Sequence, residues 1–342
     1  MRRHRRHLAS AALGRGVAVG GAALAAGAYT GAVILGYRRL AGVGSGCPPA
    51  ILANTPADFE LGSLGDLDLP LDTSRWRMPG FEEVSFPSRD AGIALRAWWV
   101  PAAPDAPAIV VIHGARRCRH DPLVLLLAGM LHRRGFSVLI PDLRNHGDSG
   151  RESGRHSAGI REHRDVLGAW DWLHDERGIA AERIGLLGIS LGGGAATIAI
   201  GAEPRVAATW IDGVFADMRI AMDDEARRGG LPSWLVPGGA AIVRRFSGID
   251  FRRAGPLASV PAIAGRPFFI AHGADDARIS VRHADVFAEA FAAAGAPIEP
   301  WIIPATGHCL GPITVPDEYE ARLAAFFSGS IGAPAIPAPA TP

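Results

Sequence analysis

Gly188-Ile189-Ser190-Leu191-Gly192 is a G-x-S-x-G pentapeptide that joins two apolar runs, residues 184–187 and residues 193–200. A buried strand, a serine at a sharp turn and then a helix form the context that a nucleophile elbow requires. Side chains at positions 188 and 192 would collide with the backbone that lifts the serine out of the sheet, and both positions are glycine. The stretch therefore predicts Ser190 as a nucleophile between a strand and a helix.

A serine hydroxyl is a weak nucleophile at neutral pH, so it needs a histidine base and an acid that orients the base. In the fold that carries this elbow, the acid and then the histidine follow the serine. The later histidines are His272 at a strand end, His283 inside a predicted helix and His308 in a loop directly after the last predicted strand. Such a loop at the carboxyl edge of the sheet can reach Ser190, so His308 is the expected base. The alternative is a surface-loop histidine.

The rest of the pattern alternates short apolar runs with amphipathic segments. The predicted strands are residues 83–86, 93–100, 108–112, 137–140, 184–189, 267–271 and 298–303. The predicted helices are residues 122–134, 158–177, 281–294 and 317–328, with one more after Ser190. This alternation favours an α/β fold with a mostly parallel central sheet and helices on both faces. It stops at about residues 212–262, which predicts a small cap inserted over the site, or alternatively one crossover with a long surface loop.

The N-terminus carries the second strong signal. A basic segment, residues 1–15, precedes residues 16–37, which have no charged side chain and would span about 33 Å as a helix. This length predicts a transmembrane signal-anchor helix. The excess of arginine before it predicts a cytoplasmic N-terminus and an extracytoplasmic catalytic domain. The alternative is a cleaved signal peptide and a secreted protein.

Composition assigns the remaining segments. Residues 38–80 are predicted to be a linker, residues 81–330 the main domain, and residues 331–342 a disordered Pro/Ala-rich tail. A formal net charge of +1 over 342 residues gives no support for a nucleic-acid partner. The three cysteines lack C-x-x-C spacing, so they indicate neither a metal site nor a disulfide framework.

Five short motifs follow one another along the chain. They are His113-Gly114-Ala115, Asp142-Leu143-Arg144-Asn145-His146-Gly147-Asp148-Ser149, the pentapeptide, His272-Gly273-Ala274-Asp275-Asp276, and Gly307-His308. From Phe81 to about Phe327 the chain resembles the α/β-hydrolase fold serine hydrolases, and most of all the membrane-anchored bacterial type related to prolyl-oligopeptidase-like and esterase members. In that family the acid lies three residues after the glycine that follows the histidine. The resemblance therefore implies Asp276, and not the adjacent Asp275, as the acid.

An oxyanion hole needs backbone N–H groups. One donor is expected from Leu191, at the start of the helix after the nucleophile, where the helix dipole adds to its effect. The other is expected from Ala115, after the strand at residues 108–112. The cluster Arg116-Arg117-Cys118-Arg119 comes next in the chain. It either attracts an anionic acyl or lipid head group or forms a solvated loop face.

Two cysteines adjoin the expected catalytic loops. Cys118 lies beside the oxyanion loop and Cys309 beside the expected base. One interpretation is a disulfide that links both loops outside the cytoplasm, and the alternative is two buried thiols. Cys47 is expected to be a thiol of the linker.

Together these residues predict a serine hydrolase that cleaves carboxylic esters of small molecules or lipids through a Ser190-Asp276-His308 triad and an acyl-enzyme intermediate. The mechanism needs no cofactor and no metal. A peptidase or an acyltransferase using the same triad is the alternative. An alternative of another class is a non-catalytic binding module on the hydrolase fold. Such modules typically lose a triad member, whereas here all three residues are present.

Overall fold

The computed structural model describes residues 2–64, 67–68, 71–250 and 255–333, and within these it describes no side chains at residues 2–20, 22, 63–64 and 67–68. All but the first three residues of the predicted tail, 331–342, lie outside the described residues. The structure over the main domain is a central sheet covered by helices, as the alternating pattern predicts.

Eight strands form the main sheet. In chain order they are β1 (Glu82–Pro87), β2 (Ala94–Val100), β3 (Ala108–Ile112), β4 (Ser137–Pro141), β5 (Ile184–Ile189), β6 (Ala208–Asp212), β7 (Phe268–Gly273) and β8 (Trp301–Ile303). Across the sheet the order is β8-β7-β6-β5-β3-β4-β2-β1. β1 and β2 pair antiparallel, β2 pairs antiparallel with β4, and every other pair is parallel. The carboxyl ends of six parallel strands, β3 to β8, therefore meet at one edge.

Helices cover both faces of the sheet. The helices in chain order are α1 (Arg2–Ala41), α2 (Pro122–Arg133), α3 (His163–Asp171), α4 (Leu191–Ala202), α5 (Met218–Arg228), α6 (Val236–Ser247), α7 (Pro256–Ile263), α8 (Arg282–Ala293), α9 (Gly311–Thr314) and α10 (Pro316–Ile331). Side chains of α3, α4, α7 and α8 enclose one apolar core, and those of α2 and α10 enclose the other. The predicted α/β-hydrolase fold, with a mostly parallel sheet and helices on both faces, is confirmed.

Three elements differ from the predicted pattern. The last strand, predicted at residues 298–303, is formed only by Trp301–Ile303. The sheet gains β6, which the strand predictions omit because its five residues, Ala-Thr-Trp-Ile-Asp, directly precede the irregular cap sequence. The helix predicted at residues 158–177 begins later, at His163, and ends as a π-helical turn over Trp172–Glu176. Glu162 explains the late start: its carboxylate accepts the N–H groups of Ser157 and Gly159, which holds that stretch in a turn.

Three helices, α5 to α7, occupy the stretch between β6 and β7 where the cap is predicted. α7 packs on α4 beneath them. α5 reaches the loop that follows β7, because Arg228 donates to the carbonyls of Ala277 (2.7 Å) and Arg278 (3.1 Å). The predicted cap, α5 to α7, is thereby attached to one of the loops at the carboxyl edge of the sheet.

The N-terminal helix α1 contains the predicted anchor segment, residues 16–37. Within the part of the chain that the structure describes, no helix combines the length and the apolar character needed to cross a membrane. The anchor and the linker after it are untested and stay predictions. Side chains beyond α1 nevertheless belong to the core: Phe59, Leu61, Trp76 and Met78 are all buried against α2 and its neighbours.

The disulfide pairing differs from both interpretations of the cysteines. Cys47 is bonded to Cys118, with 5.2 Å between their Cα atoms, and Cys309 is a free, buried thiol. The Cys118–Cys309 disulfide and the linker thiol at Cys47 are therefore wrong. Gly46 explains the approach of Cys47: at φ +79° its Cα packs directly on the backbone at Asn145, where a Cβ would lie 2.7 Å from the carbonyl oxygen. Sequence spacing gives no sign of this contact.

Candidate active site

Ser190 stands at a strained turn between β5, which ends at Ile189, and α4, which begins at Leu191. Its φ of 51° and ψ of −118° are values that a residue with a side chain rarely adopts. The backbone around it is packed without room for side chains. A Cβ on Gly188 would lie 2.5 Å from the carbonyl oxygen of Gly192, and one on Gly192 would lie 2.4 Å from the carbonyl oxygen of Ile112. The elbow geometry matches the prediction from the pentapeptide.

Three predicted side chains meet at this turn. His308, in the loop after β8, places Nε2 3.1 Å from Ser190 Oγ and Nδ1 2.7 Å from Asp276 Oδ2. Gly213, at φ +61°, leaves room for the imidazole, because a Cβ there would lie 3.3 Å from His308 Nδ1. The residues that the sequence singles out thus form one continuous chain of hydrogen bonds.

Asp276 and Asp275 have opposite surroundings. Asp275 is exposed, whereas Asp276 is buried and its Oδ1 accepts the N–H groups of Arg278 and Ile279, each at 2.8 Å. Burial alone would raise the pKa of Asp276, but hydrogen bonds from His272 and His308 outweigh it and hold the pKa well below its ordinary range. Asp276 is therefore a carboxylate at neutral pH.

His272 supports this carboxylate from the end of β7. Its Nε2 donates to the carbonyl of Ile279 at 2.9 Å and lies 3.4 Å from Asp276 Oδ2. Burial lowers the pKa of His272, but the neighbouring Asp276 raises it more. His272 is thus a partner of the acid, a role that the sequence prediction missed. The signal was a histidine at a strand end four residues before the expected acid.

The loop that carries Ala115 is held by two buried histidines. His113 Nδ1 donates to the Gly114 carbonyl at 2.8 Å, while its Nε2 accepts the N–H of Leu143 at 3.0 Å. One nitrogen donates and the other accepts, so this imidazole is neutral. Burial lowers the pKa of His113, in agreement with that state.

His146 holds the other side of the same loop. Its Nδ1 donates to the Arg144 carbonyl at 2.8 Å, and its Nε2 accepts the N–H of Arg116 at 3.2 Å. Burial places the pKa of His146 well below its usual value. With the Arg116 amide engaged, the preceding amide of Ala115 and the amide of Leu191 donate to no other backbone group in the described parts of the chain. Both are available to an oxyanion.

The arginine cluster after Ala115 is not a free anion site, because its arginines bind groups within the protein. The solvated face is correct only in part, since Arg116 is exposed, Arg117 is half-buried and Arg119 is buried. Arg119 is buried and ion-paired with Asp142 and with Asp148, the latter at 2.7 Å. Arg116 binds carbonyl groups at the end of α1 and directly after it, among them that of Gly42 at 2.9 Å. These partners are distant in sequence or lie in main chain, and the cluster pattern reveals none of them.

Asp212 is a second buried carboxyl beside the site that the sequence prediction missed. Its backbone carbonyl accepts the N–H of Ser190 at 2.9 Å, and its Oδ2 accepts the hydroxyl of Tyr319 at 2.8 Å. Among the described residues, its Oδ1 has no hydrogen-bond partner. Burial raises the pKa of Asp212 to about 6. No group of three or more His, Cys, Asp or Glu side chains in the described residues is arranged to hold a metal.

We expect Asp212→Asn to stabilise the fold at pH 8 and not at pH 4. An acid whose pKa is raised by folding stabilises the native state below its unfolded pKa, and this contribution is lost as the pH rises through the folded value near 6. The variant should gain roughly 3 kcal/mol in free energy of unfolding at pH 8 relative to the wild type. Urea denaturation at both pH values measures it, with exposed Asp275→Asn as the control. Equal effects of Asp212→Asn at both pH values would contradict the assignment.

Comparison with known proteins agrees with this geometry. Residues 126–333 match the prolyl oligopeptidase family of peptidases. A thiohydrolase, aneE, of Aspergillus aculeatus is 30% identical over 126 residues, which is 37% of this chain and 39% of that protein. The chain thus matches about two fifths of the length of such curated relatives.

Solved structures share the fold. The Pyrococcus furiosus esterase Pf2001 aligns with a TM-score of 0.62 and 20% identity over 80% of this chain and 100% of that one. The acylaminoacyl peptidase of Pyrococcus horikoshii aligns with a TM-score of 0.55 and 17% identity over 75% of this chain and 42% of that one. With the family match covering more than half of the sequence, the chain belongs to the prolyl oligopeptidase family and has the α/β-hydrolase fold.

Proposed function

We propose that the protein is a serine hydrolase of carboxylic esters that works through a Ser190-Asp276-His308 triad. The observation that carries the proposal is the continuous hydrogen-bonded chain from Asp276 through His308 to Ser190 Oγ at the strained elbow. Two amides near Ser190, that of Ala115 in the loop after β3 and that of Leu191 at the start of α4, donate to no backbone group in the described residues. A nucleophile, a base, an orienting acid and oxyanion donors are the set that acyl transfer requires.

In this mechanism His308 Nε2 takes the proton from Ser190 Oγ as the oxygen attacks the acyl carbonyl. Asp276, kept ionised by its hydrogen bonds, fixes the imidazole orientation and stabilises the imidazolium that forms. The amides of Ala115 and Leu191 bind the oxyanion, and each contributes about 3 kcal/mol in the transition state. His308 then protonates the leaving alcohol, and a water molecule, activated by the same histidine, releases the acyl group.

Esters are the proposed substrates because the esterase Pf2001 aligns with this fold over its whole length, and because a further relative is named a thiohydrolase. The family match and the acylaminoacyl peptidase favour a second candidate, a peptidase on the same triad. The alignment covers 42% of that peptidase. Parallel assays of nitrophenyl esters and peptide anilides separate the two candidates.

We also propose that the catalytic domain works outside the cytoplasm and that α1 attaches it to a membrane. The Cys47–Cys118 disulfide supports the location, since structural disulfides persist in oxidising compartments. The uncharged stretch from Gly16 to Tyr37 supports the attachment. A secreted form, released by cleavage of the N-terminal segment, is the alternative.

A fluorophosphonate probe tests the proposed nucleophile. We expect the wild type to take up one probe molecule per chain, on Ser190, and Ser190→Ala to take up none. The same substitution should lower kcat for a short-chain nitrophenyl ester by a factor on the order of 10⁶. An unlabelled wild type, or a Ser190→Ala variant that still labels, would remove the mechanism.

The pair Asp276→Asn and Asp275→Asn tests the choice of acid. Asn at position 276 keeps the shape but cannot hold the imidazole in the proton-accepting tautomer, so kcat should fall by roughly 10⁴-fold. Asp275 is exposed, and its replacement should leave turnover near the wild-type value. Steady-state kinetics on one ester measures both variants side by side. A mild effect at position 276 together with a severe one at 275 would reverse the assignment.

A further inference from the structure

Residues 23–28 of α1 form an apolar stretch that is exposed on every side. Residues 23–28 are Ala, Leu, Ala, Ala, Gly and Ala, and all of them are exposed, with Leu24 at 77%. The sequence has no charge between Gly16 and Tyr37. A helix that is hydrophobic all round is normally enclosed by protein or by lipid, and the described chain leaves these residues uncovered.

The second half of α1 lies against the cap helix α6. The Tyr29 hydroxyl donates to the carbonyl of Leu235, and the side chains of Tyr29 and Val33 lie over the small residues Gly238 and Gly239. Farther along, the ring of Tyr37 meets Phe246 edge to face at 6.1 Å. These contacts fix the exposed apolar stretch of α1 beside the cap.

The cap carries exposed apolar side chains of its own. They are Leu231 (55% exposed), Trp234 (76%) and Phe246 (40%). Trp234 directly precedes Leu235, the residue that Tyr29 binds, so it stands at the junction of the helix and the cap. The seven other tryptophans of the chain are buried or half-buried.

Cations lie where this apolar surface ends. Arg38 lies over the Phe246 ring at 5.2 Å, and Arg39 and Arg245 are exposed. Among the residues that the structure describes, none of these three arginines forms an ion pair. Exposed aromatic rings next to unpaired arginines are the arrangement found at the interface of a bilayer with anionic head groups.

We propose that α1 from residue 23 onward, together with Leu231, Trp234 and Phe246, forms one lipid-docking surface whose occupant is a bilayer containing anionic lipid. The proposal goes beyond attachment through α1 alone, because it places the cap in contact with lipid. It rests on the proposed function in one respect: the substrates are then acyl esters presented at a membrane.

The loop that carries Ala115 and the loop that carries Asp276 are both connected to this surface. Arg116, next to the oxyanion donor Ala115, binds carbonyl groups at the end of α1. Arg228, on α5 of the cap, binds the carbonyls of Ala277 and Arg278 beside Asp276. Docking on a bilayer would thus hold the oxyanion loop and the acid loop close to the lipid surface.

Vesicle sedimentation of the full-length chain tests the proposal. We expect the protein to bind vesicles of phosphatidylcholine with phosphatidylglycerol, and the double variant Leu231→Asp/Trp234→Asp to partition at least about tenfold less. Ile302→Asp, at an exposed apolar residue on the edge strand β8, is the matched control and should partition like the wild type. A double variant that binds like the wild type would overturn the contact between cap and lipid.

Fluorescence gives a second readout that does not depend on a disruptive substitution. Vesicles of brominated lipid should quench the wild type more than Trp234→Phe, because the difference between the two proteins isolates Trp234. Equal quenching would overturn the proposal, as would a dimer in solution that buries this surface and leaves the vesicles unbound. Turnover of a water-soluble ester should survive both cap substitutions. Its absence in the wild type would defeat the proposed function while leaving the lipid-docking surface standing.

Discussion

Direct packing of backbone on backbone around Ser190 is the constraint on which the rest of the site depends. The first turn of α4 lies against the end of β3 with no side chain between them, since a Cβ on Gly192 would be 2.4 Å from the Ile112 carbonyl. This closeness lets Ser190 hold a φ of 51°, a conformation that costs on the order of 1–3 kcal/mol. The same packing brings Gly114, and with it the Ala115 amide, next to the serine.

The sheet order turns this turn into a site. β5, β6, β7 and β8 are adjacent and parallel, so the loops after them meet at one edge. Those loops carry Ser190, Asp276 and His308 in chain order, and Asp212 is the last residue of β6. Local hydrogen bonds lower the pKa of Asp276 and keep it ionised, whereas burial raises the pKa of the neighbouring Asp212. Two neighbouring carboxyls therefore have pKa values displaced in opposite directions because their surroundings differ.

The sequence carries the parts of this arrangement that local chemistry controls. The glycines of the pentapeptide and the alternation of apolar runs predict the fold and the nucleophile, and the order serine, acid, histidine indicates His308. The resemblance to the α/β-hydrolase family is needed to choose Asp276 over Asp275. What it does not carry depends on contacts between distant segments. The Cys47–Cys118 disulfide requires the close approach of Gly46 to Asn145, and the burial of Arg119 requires Asp142 and Asp148 from another loop. His272 lies in a motif that the sequence shows, but its contact with Asp276 depends on the folded turn in which His272 also donates to the Ile279 carbonyl.

Rapid mixing with a nitrophenyl ester tests whether Ser190 forms an acyl-enzyme. The reaction is quenched with acid, and the protein is then analysed by mass spectrometry. We expect a burst in which the concentration of released nitrophenol equals that of the protein. We also expect a transient mass increase of one acyl group on the peptide that contains Ser190. We expect neither for Ser190→Ala. An acyl group that accumulates on a different residue, or turnover in wild type without any covalent intermediate under conditions where deacylation is slow, would contradict this role of Ser190.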